Sequence, residues 1–173
     1  RIVAALEELD RNVLRTRVDP LVGPASLHCA LIEGGIGLST YAPECRLQVE
    51  RRTIAGETDE QVLRDVEEAV RRAGEEAAVR IVFGRPPLTC DPSARVVHCL
   101  RAATTAVTGS APEEAGVPYW MDAALFGAAG IPTANYGPLG HGAHEPVEWV
   151  DLDSVVTVAE VLADSAERFC RPD

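Results

Sequence analysis

The chain has 173 residues and a mass of 18.5 kDa, which suits one domain or two small ones. Hydrophobic residues make up 46% and charged residues 25%, a balance that excludes disordered, collagen-like and fibrous chains. Acids number 27 against 16 bases, and the net charge of -11 repels phosphate backbones, so no nucleic acid is expected as a partner.

In chain order, residues 1–15 place Ile2, Val3, Leu6, Leu9, Val13 and Leu14 at helical spacing. Asp19-Pro20 and Gly23-Pro24 then break the chain. Ser26 to Glu33 alternates as a strand, with Leu27, Cys29 and Leu31 on one face, and Gly34-Gly35-Ile36-Gly37 is a flexible link. Arg46 to Ile54 is a second strand with Leu47, Val49 and Arg51 on one face. Thr58 followed by Gln61 forms a capping box for a helix whose apolar stripe is Val62, Leu63, Val66, Ala69, Val70 and Ala73, ended by Gly74. Val79 to Phe83 reads as a third strand.

Gly84 to Pro87 marks a boundary between residues 1–87 and 88–173. Beyond it, Asp91-Pro92 offers a cap and a first-turn proline for a helix through Val96, Val97, Leu100, Ala103 and Val107 that stops at Gly109. Asp122 is read as the cap of a short Ala-rich helix ending at Gly130, and Ile131 to Tyr136 reads as a short buried strand. A glycine-rich loop covers Gly137 to His144. Asp151 or Asp153 caps a last helix, predicted to bury Leu152, Val155, Val156, Ala159, Leu162, Ala163, Ala166 and Phe169. Only eight residues are aromatic, so the core must be aliphatic.

All 16 bases are Arg, which excludes Schiff-base and P-loop lysines. The longest uncharged run, Ala123 to Ala143, is interrupted by Gly and Pro, and neither a membrane span nor a signal peptide is expected. Cys29, Cys45, Cys90, Cys99 and Cys170 are odd in number and make no C-x-x-C, which predicts reduced thiols in a cytoplasmic protein. The chain opens on Arg1 inside a helical pattern and its single Met is Met121, which predicts a piece of a longer polypeptide.

Few residues offer chemistry. His28 falls mid-strand and His98 within a helix, where surface or packing roles account for them. His141 and His144 lie in a glycine-rich loop after a predicted strand, the position at which sites form in open α/β sheets, and imidazole is a common metal ligand. Arg51 and Arg52 are neighbours on a strand and point to opposite faces; a surface charge accounts for both, and the alternative is that one of them holds a carboxylate through its planar fork. The acid pairs Glu67-Glu68 and Glu75-Glu76 suit a solvated helix face, and Glu113-Glu114 lies in a loop.

The order of these motifs resembles the dizinc family that includes acetylornithine deacetylase, succinyl-diaminopimelate desuccinylase, carboxypeptidase G and aminoacylase. Ser26 to Gly35 resembles the second strand and glycine pair of that family's βαββαβ lid, or dimerisation, domain. Glu50-Arg51-Arg52-Thr53-Ile54-Ala55-Gly56 resembles its D-x-R-x-x-P-G, with Glu for Asp and Ala for Pro. Met121-Asp122-Ala123 resembles its T-D-A or S-D-A. Tyr136-Gly137-Pro138 with Ala143-His144-Glu145-Pro146-Val147-Glu148-Trp149-Val150 resembles its closing segment. The resemblance implies a ferredoxin-like α+β lid without its first strand (1–87), followed by the C-terminal part of an α/β zinc-peptidase catalytic domain (88–173). It implies that His144 is a zinc ligand, that Arg52 grips a substrate carboxylate, and that Gly137 and Asp122 line and shape the substrate site.

No residue matches the family's other ligands or its general base, so the resemblance implies no catalytic residue within this chain and no stoichiometric metal. It further implies two zinc ions per full-length subunit, a homodimer formed through the lid, and cleavage of the amide bond of an N-acyl amino acid or small peptide. Two other readings stay open: a lid module whose work is dimerisation alone, and an unrelated small α/β protein that binds through the His141/His144 loop.

Overall fold

A computed structural model describes residues 1–171. It contains α1 (Ile2–Asn12), β1 (Val18–Asp19), β2 (Gly23–Pro24), β3 (Ser26–Gly34), β4 (Cys45–Arg52), α2 (Asp59–Arg72), α3 (Arg95–Thr108), α4 (Ala123–Ala128), β5 (Gly140–His141), β6 (Trp149–Val150) and α5 (Leu152–Cys170). A 3-10 turn over Leu14–Thr16 follows α1. The chain forms two compact units. One holds Arg1–Pro87 with Gly116–Pro118; the other holds Leu88–Ala115 and Tyr119 onward.

In the first unit β3 and β4 form an antiparallel hairpin covered by α1 and α2. The core is aliphatic: Leu6, Leu14, Ala25, Leu27 and Ala69 are buried, with Leu47, Val49 and Val66 packed against them. The register runs Ser26↔Arg52, Leu27↔Arg51 and Cys29↔Val49, then shifts so that Leu31 faces Gln48. That bulge at Ala30 ends the alternation expected of Ser26–Glu33. Leu27 and Cys29 stay on the core side, but Leu31 is exposed. Thr58 caps α2 by accepting the Gln61 N–H (3.3 Å), and Gly74 ends the helix at φ +67°.

Two strands read from the sequence do not form among the described residues. Val79–Phe83 pairs with nothing, and Ile81, Val82 and Phe83 are exposed. Ile131–Tyr136 is likewise unpaired, with Ile131 exposed. Apolar β-formers become strands only where an edge offers its N–H and C=O groups, and neither segment meets one.

In the second unit α3 packs on α5. Ala103 of α3 and Val161 of α5 are fully buried at this contact. Asp91 does not cap α3 directly. Its carboxylate accepts the Ser93 N–H (2.8 Å) and hydroxyl (2.7 Å) in a preceding turn, and the helix starts at Arg95 with Ala94 in the cap position. Gly109, in the left-handed region at φ +79°, ends it. Asp151 caps α5 by accepting the Ser154 N–H (2.7 Å). The buried stripe of α5 is not the expected one. Leu152, Val155, Val156, Leu162 and Phe169 are exposed, while Val161 and Ser165 are buried and Ser154 and Val158 half-buried. Both stripes have helical period, so the pattern alone does not say which of them meets a partner.

Candidate functional site

The C-terminal end of β4 and the segment before α5 carry the residues of interest. On β4 the pleat sends Leu47, Val49 and Arg51 inward and Glu50 and Arg52 outward. Arg52 is exposed, with its Nε donating to Glu50 Oε1 (3.1 Å). Glu50 Oε2 lies 3.3 Å from His28 Nε2 on β3, so the outer face carries Arg52, Glu50 and His28 in a short row. An exposed guanidinium of this kind can exchange one carboxylate partner for another at small cost, because surface pairs contribute little.

Arg51 has the opposite surroundings. Its side chain is 7% exposed and donates to the Glu57 carboxylate, to the Arg52 carbonyl and weakly to the Ser26 carbonyl (3.4 Å). Glu57, 6% exposed, also accepts from Arg17 Nη1 (3.0 Å) and from the Ile54 N–H (3.0 Å). Arg17 forks onto Asp65 of α2 (2.5 and 3.1 Å). Burial pulls the Arg51 pKa down against the pull of Glu57, whereas the hydrogen bonds that Arg17 donates to Asp65 push its own pKa up despite its desolvation. Sequence reasoning missed this four-charge cluster. Its signal was an arginine on the same strand face as Leu47 and Val49, a placement that requires a buried counter-ion.

His144 sits in the turn between β5 and β6, exposed and at φ +67°, the only non-glycine residue with positive φ among those described. The turn is tightly closed. The Glu145 N–H donates to the Gly142 carbonyl (2.8 Å), and a Cβ on Gly142 (φ +74°) would collide with the Val147 carbonyl. The hairpin is tied to the start of α5: Asp151 N–H donates to the Leu139 carbonyl (2.9 Å), and Leu139 N–H donates to Ser154 Oγ (3.0 Å). His141 lies on β5 with its ring 6.4 Å from that of Trp149. Gly137 is exposed, with nothing near the position of a Cβ. Asp122 stands at the N-cap position before α4, but its side chain makes no capping bond, contrary to the sequence expectation.

Gly137 and His144 therefore lie close in sequence on one glycine-rich segment of the second unit, with Asp122 elsewhere in that unit and Arg52 in the first. Among the described residues no three His, Cys, Asp or Glu side chains are grouped to hold a metal ion. A zinc centre needs three or four protein ligands, so His144 alone does not fit one.

A model of the family described as "Peptidase family M20/M25/M40" matches residues 4–168. The chain belongs to that family. It is 30% identical over 178 residues to acetylornithine deacetylase from Myxococcus xanthus, covering 98% of this chain and 45% of the relative. It is 28% identical over 190 residues to N-formyl-4-amino-5-aminomethyl-2-methylpyrimidine deformylase from Bacillus subtilis, again covering 98% of this chain and 45% of the relative. This M20-family chain thus spans about half the length of the curated relatives it matches. Among solved structures, an M20 family metallo-carboxypeptidase from Sulfolobus solfataricus is similar in fold, with a TM-score of 0.65 and 14% identity over 86% of this chain and 36% of that one. The fold is accordingly the mixed α/β architecture of M20 peptidases, and the family is one of hydrolases.

Proposed function

We propose that this chain contributes to a hydrolase that cleaves the amide C–N bond of an N-acyl amino acid or small peptide, as the names of the similar deacetylase, deformylase and carboxypeptidase suggest. The observation that carries this reading is the family match across residues 4–168. In it, Arg52 takes the substrate carboxylate in exchange for Glu50, and Gly137 keeps one wall of the substrate site low, since it projects no side chain. Asp122 shapes the site from the start of α4, and His144 supplies one ligand to a centre of two zinc ions. Five free cysteines support a cytoplasmic setting.

The test assays the polypeptide as its gene encodes it against N-acetyl amino acids and dipeptides. Arg52→Ala should raise KM for carboxylate substrates about 10–100-fold, the worth of one charge-assisted hydrogen bond. His144→Ala should cost more than the roughly 10–100-fold typical of losing a residue behind a metal ligand. Undiminished turnover in His144→Ala would overturn the reading.

A second reading, a homodimerisation module, is favoured by one observation: β3 and β4 form a sheet of two strands, with Val79–Phe83 outside it in the same unit. Free sheet edges invite another strand.

A further inference from the structure

We propose that Arg51 and Glu57 form a buried clamp that fixes the main chain from the Arg52 carbonyl to the Ile54 amide and so holds the exposed Arg52 guanidinium ready for a substrate carboxylate. This rests on the reading of Arg52 given above and assigns two positioning residues to it. Arg51 cannot meet a substrate itself, because its side chain is 93% enclosed by the fold, being 7% exposed. What it grips is backbone next to Arg52. Its Nη1 donates to the Arg52 carbonyl, and its Nη2 donates to Glu57 Oε1. Glu57 then reaches back with Oε2 to the Ile54 N–H (3.0 Å), while its own N–H closes the turn on the Ile54 carbonyl (3.2 Å). The carbonyl of Arg52 and the amide two residues later are thus held by one ion pair. Gly56, at φ +87°, lets the chain turn back far enough for Glu57 to do this.

The pair is itself moored. Arg17 bonds Glu57 (3.0 Å) and forks onto Asp65, so the clamp is fixed both to the chain following α1 and to α2. Stability alone does not explain this investment. A buried ion pair is commonly no more stabilising than apolar residues of the same volume, and Arg51 Nε is buried without a hydrogen-bond partner, which costs further. What a buried fork supplies, and an apolar pair does not, is directional hold on particular carbonyls and amides. Preorganised contacts of this kind spare the ordering cost when a ligand binds.

The experiment has two arms. In this chain, Glu57→Gln should speed hydrogen exchange at the Ile54 amide at least tenfold. Arg51→Lys keeps the charge but loses the fork, and serves as the second variant should Glu57→Gln fold poorly. In the polypeptide as its gene encodes it, hydrolysis of N-acetyl-L-methionine is compared with that of N-acetyl-L-methioninamide. The wild type should prefer the carboxylate, and Arg52→Ala should abolish the preference. Glu57→Gln and Arg51→Lys should cut the preference about tenfold, with the loss in KM rather than in kcat.

A preference that disappears in Arg52→Ala but survives intact in both clamp variants overturns the clamp alone. Unchanged exchange at Ile54 in Glu57→Gln also overturns it, whatever the activity. A wild type that does not prefer the carboxylate, or an Arg52→Ala variant that keeps the preference, overturns the reading of Arg52 and with it the purpose assigned to the clamp.

Discussion

Asp10 shows how one carboxylate joins α1 to the hairpin. Its Oδ1 accepts the Leu27 N–H (2.7 Å) and its Oδ2 accepts Arg15 Nε (3.1 Å), and its side chain is only 13% exposed. Burial alone would raise its pKa; the Leu27 and Arg15 hydrogen bonds, with the charges of Arg15 and Arg51, outweigh this and hold it below the ordinary value. A carboxylate whose pKa is lower folded than unfolded contributes stability that is complete above its unfolded value, near 4, and is lost as pH falls through the folded value. Asp10→Asn should therefore be less stable than the wild type at pH 7. The gap should close as pH is lowered from about 4, because the wild type then loses the same charge. Urea titrations at pH 7, 4 and 2.5 would show this, and a gap that stays constant across the series would mean that the charge of Asp10 contributes nothing. The same scale shows where sequence reading works at single residues. Thr58, Asp151, Gly74 and Gly109 are legible as caps and stops because capping depends on groups three or four residues apart. The Arg51–Glu57 pair is less legible, because Arg17, which completes it, lies 40 residues from Glu57 in the chain.

At the scale of elements, a helix is readable as a helix before its buried face is. The period of α5 is plain, yet its apolar residues form a stripe wider than the face that α3 covers. In the described structure the contact runs along Ser154, Val158, Val161 and Ser165, and Leu162 is exposed. Adjacent residues on a helix point about 100° apart, so Val161 and Leu162 give contrasting outcomes. Val161→Ala removes two carbons from a fully buried site and should cost about 2–3 kcal/mol, transfer and cavity together. Leu162→Ala should stay within roughly 0.5 kcal/mol, as surface changes do. Chemical denaturation of both variants checks the assignment; a larger loss at Leu162 would mean that the apolar stripe is the packed one. Strands fare differently. The β3–β4 hairpin is legible because each strand finds its partner next in sequence. Val79–Phe83 and Ile131–Tyr136 have the composition of strands and stay unpaired, because composition states a preference that only a neighbouring edge can satisfy.

For the whole molecule, the family is more legible than the site. Ordered motifs from Ser26 to Val150 carry the resemblance, and the family match over residues 4–168 encloses them. The chemistry is divided more unevenly. Of the four histidines, His28 stands beside Glu50 on the hairpin, His98 lies on α3, His141 faces Trp149 and His144 occupies a left-handed turn. None belongs to a group of three potential ligands among the described residues. A single exposed imidazole binds zinc weakly, whereas retention through dialysis requires several ligands held in place. A metal that binds the folded chain tightly would also raise its melting temperature in proportion to the logarithm of its concentration over Kd. After dialysis against EDTA and then against micromolar zinc, this chain should hold less than one ion per molecule, and its melting temperature should match that of the EDTA-treated sample. Two ions retained per chain, with a melting temperature raised by several degrees, would show that the side chains around His144 assemble into a centre when the metal is offered. Removing His144 would then have to abolish both effects.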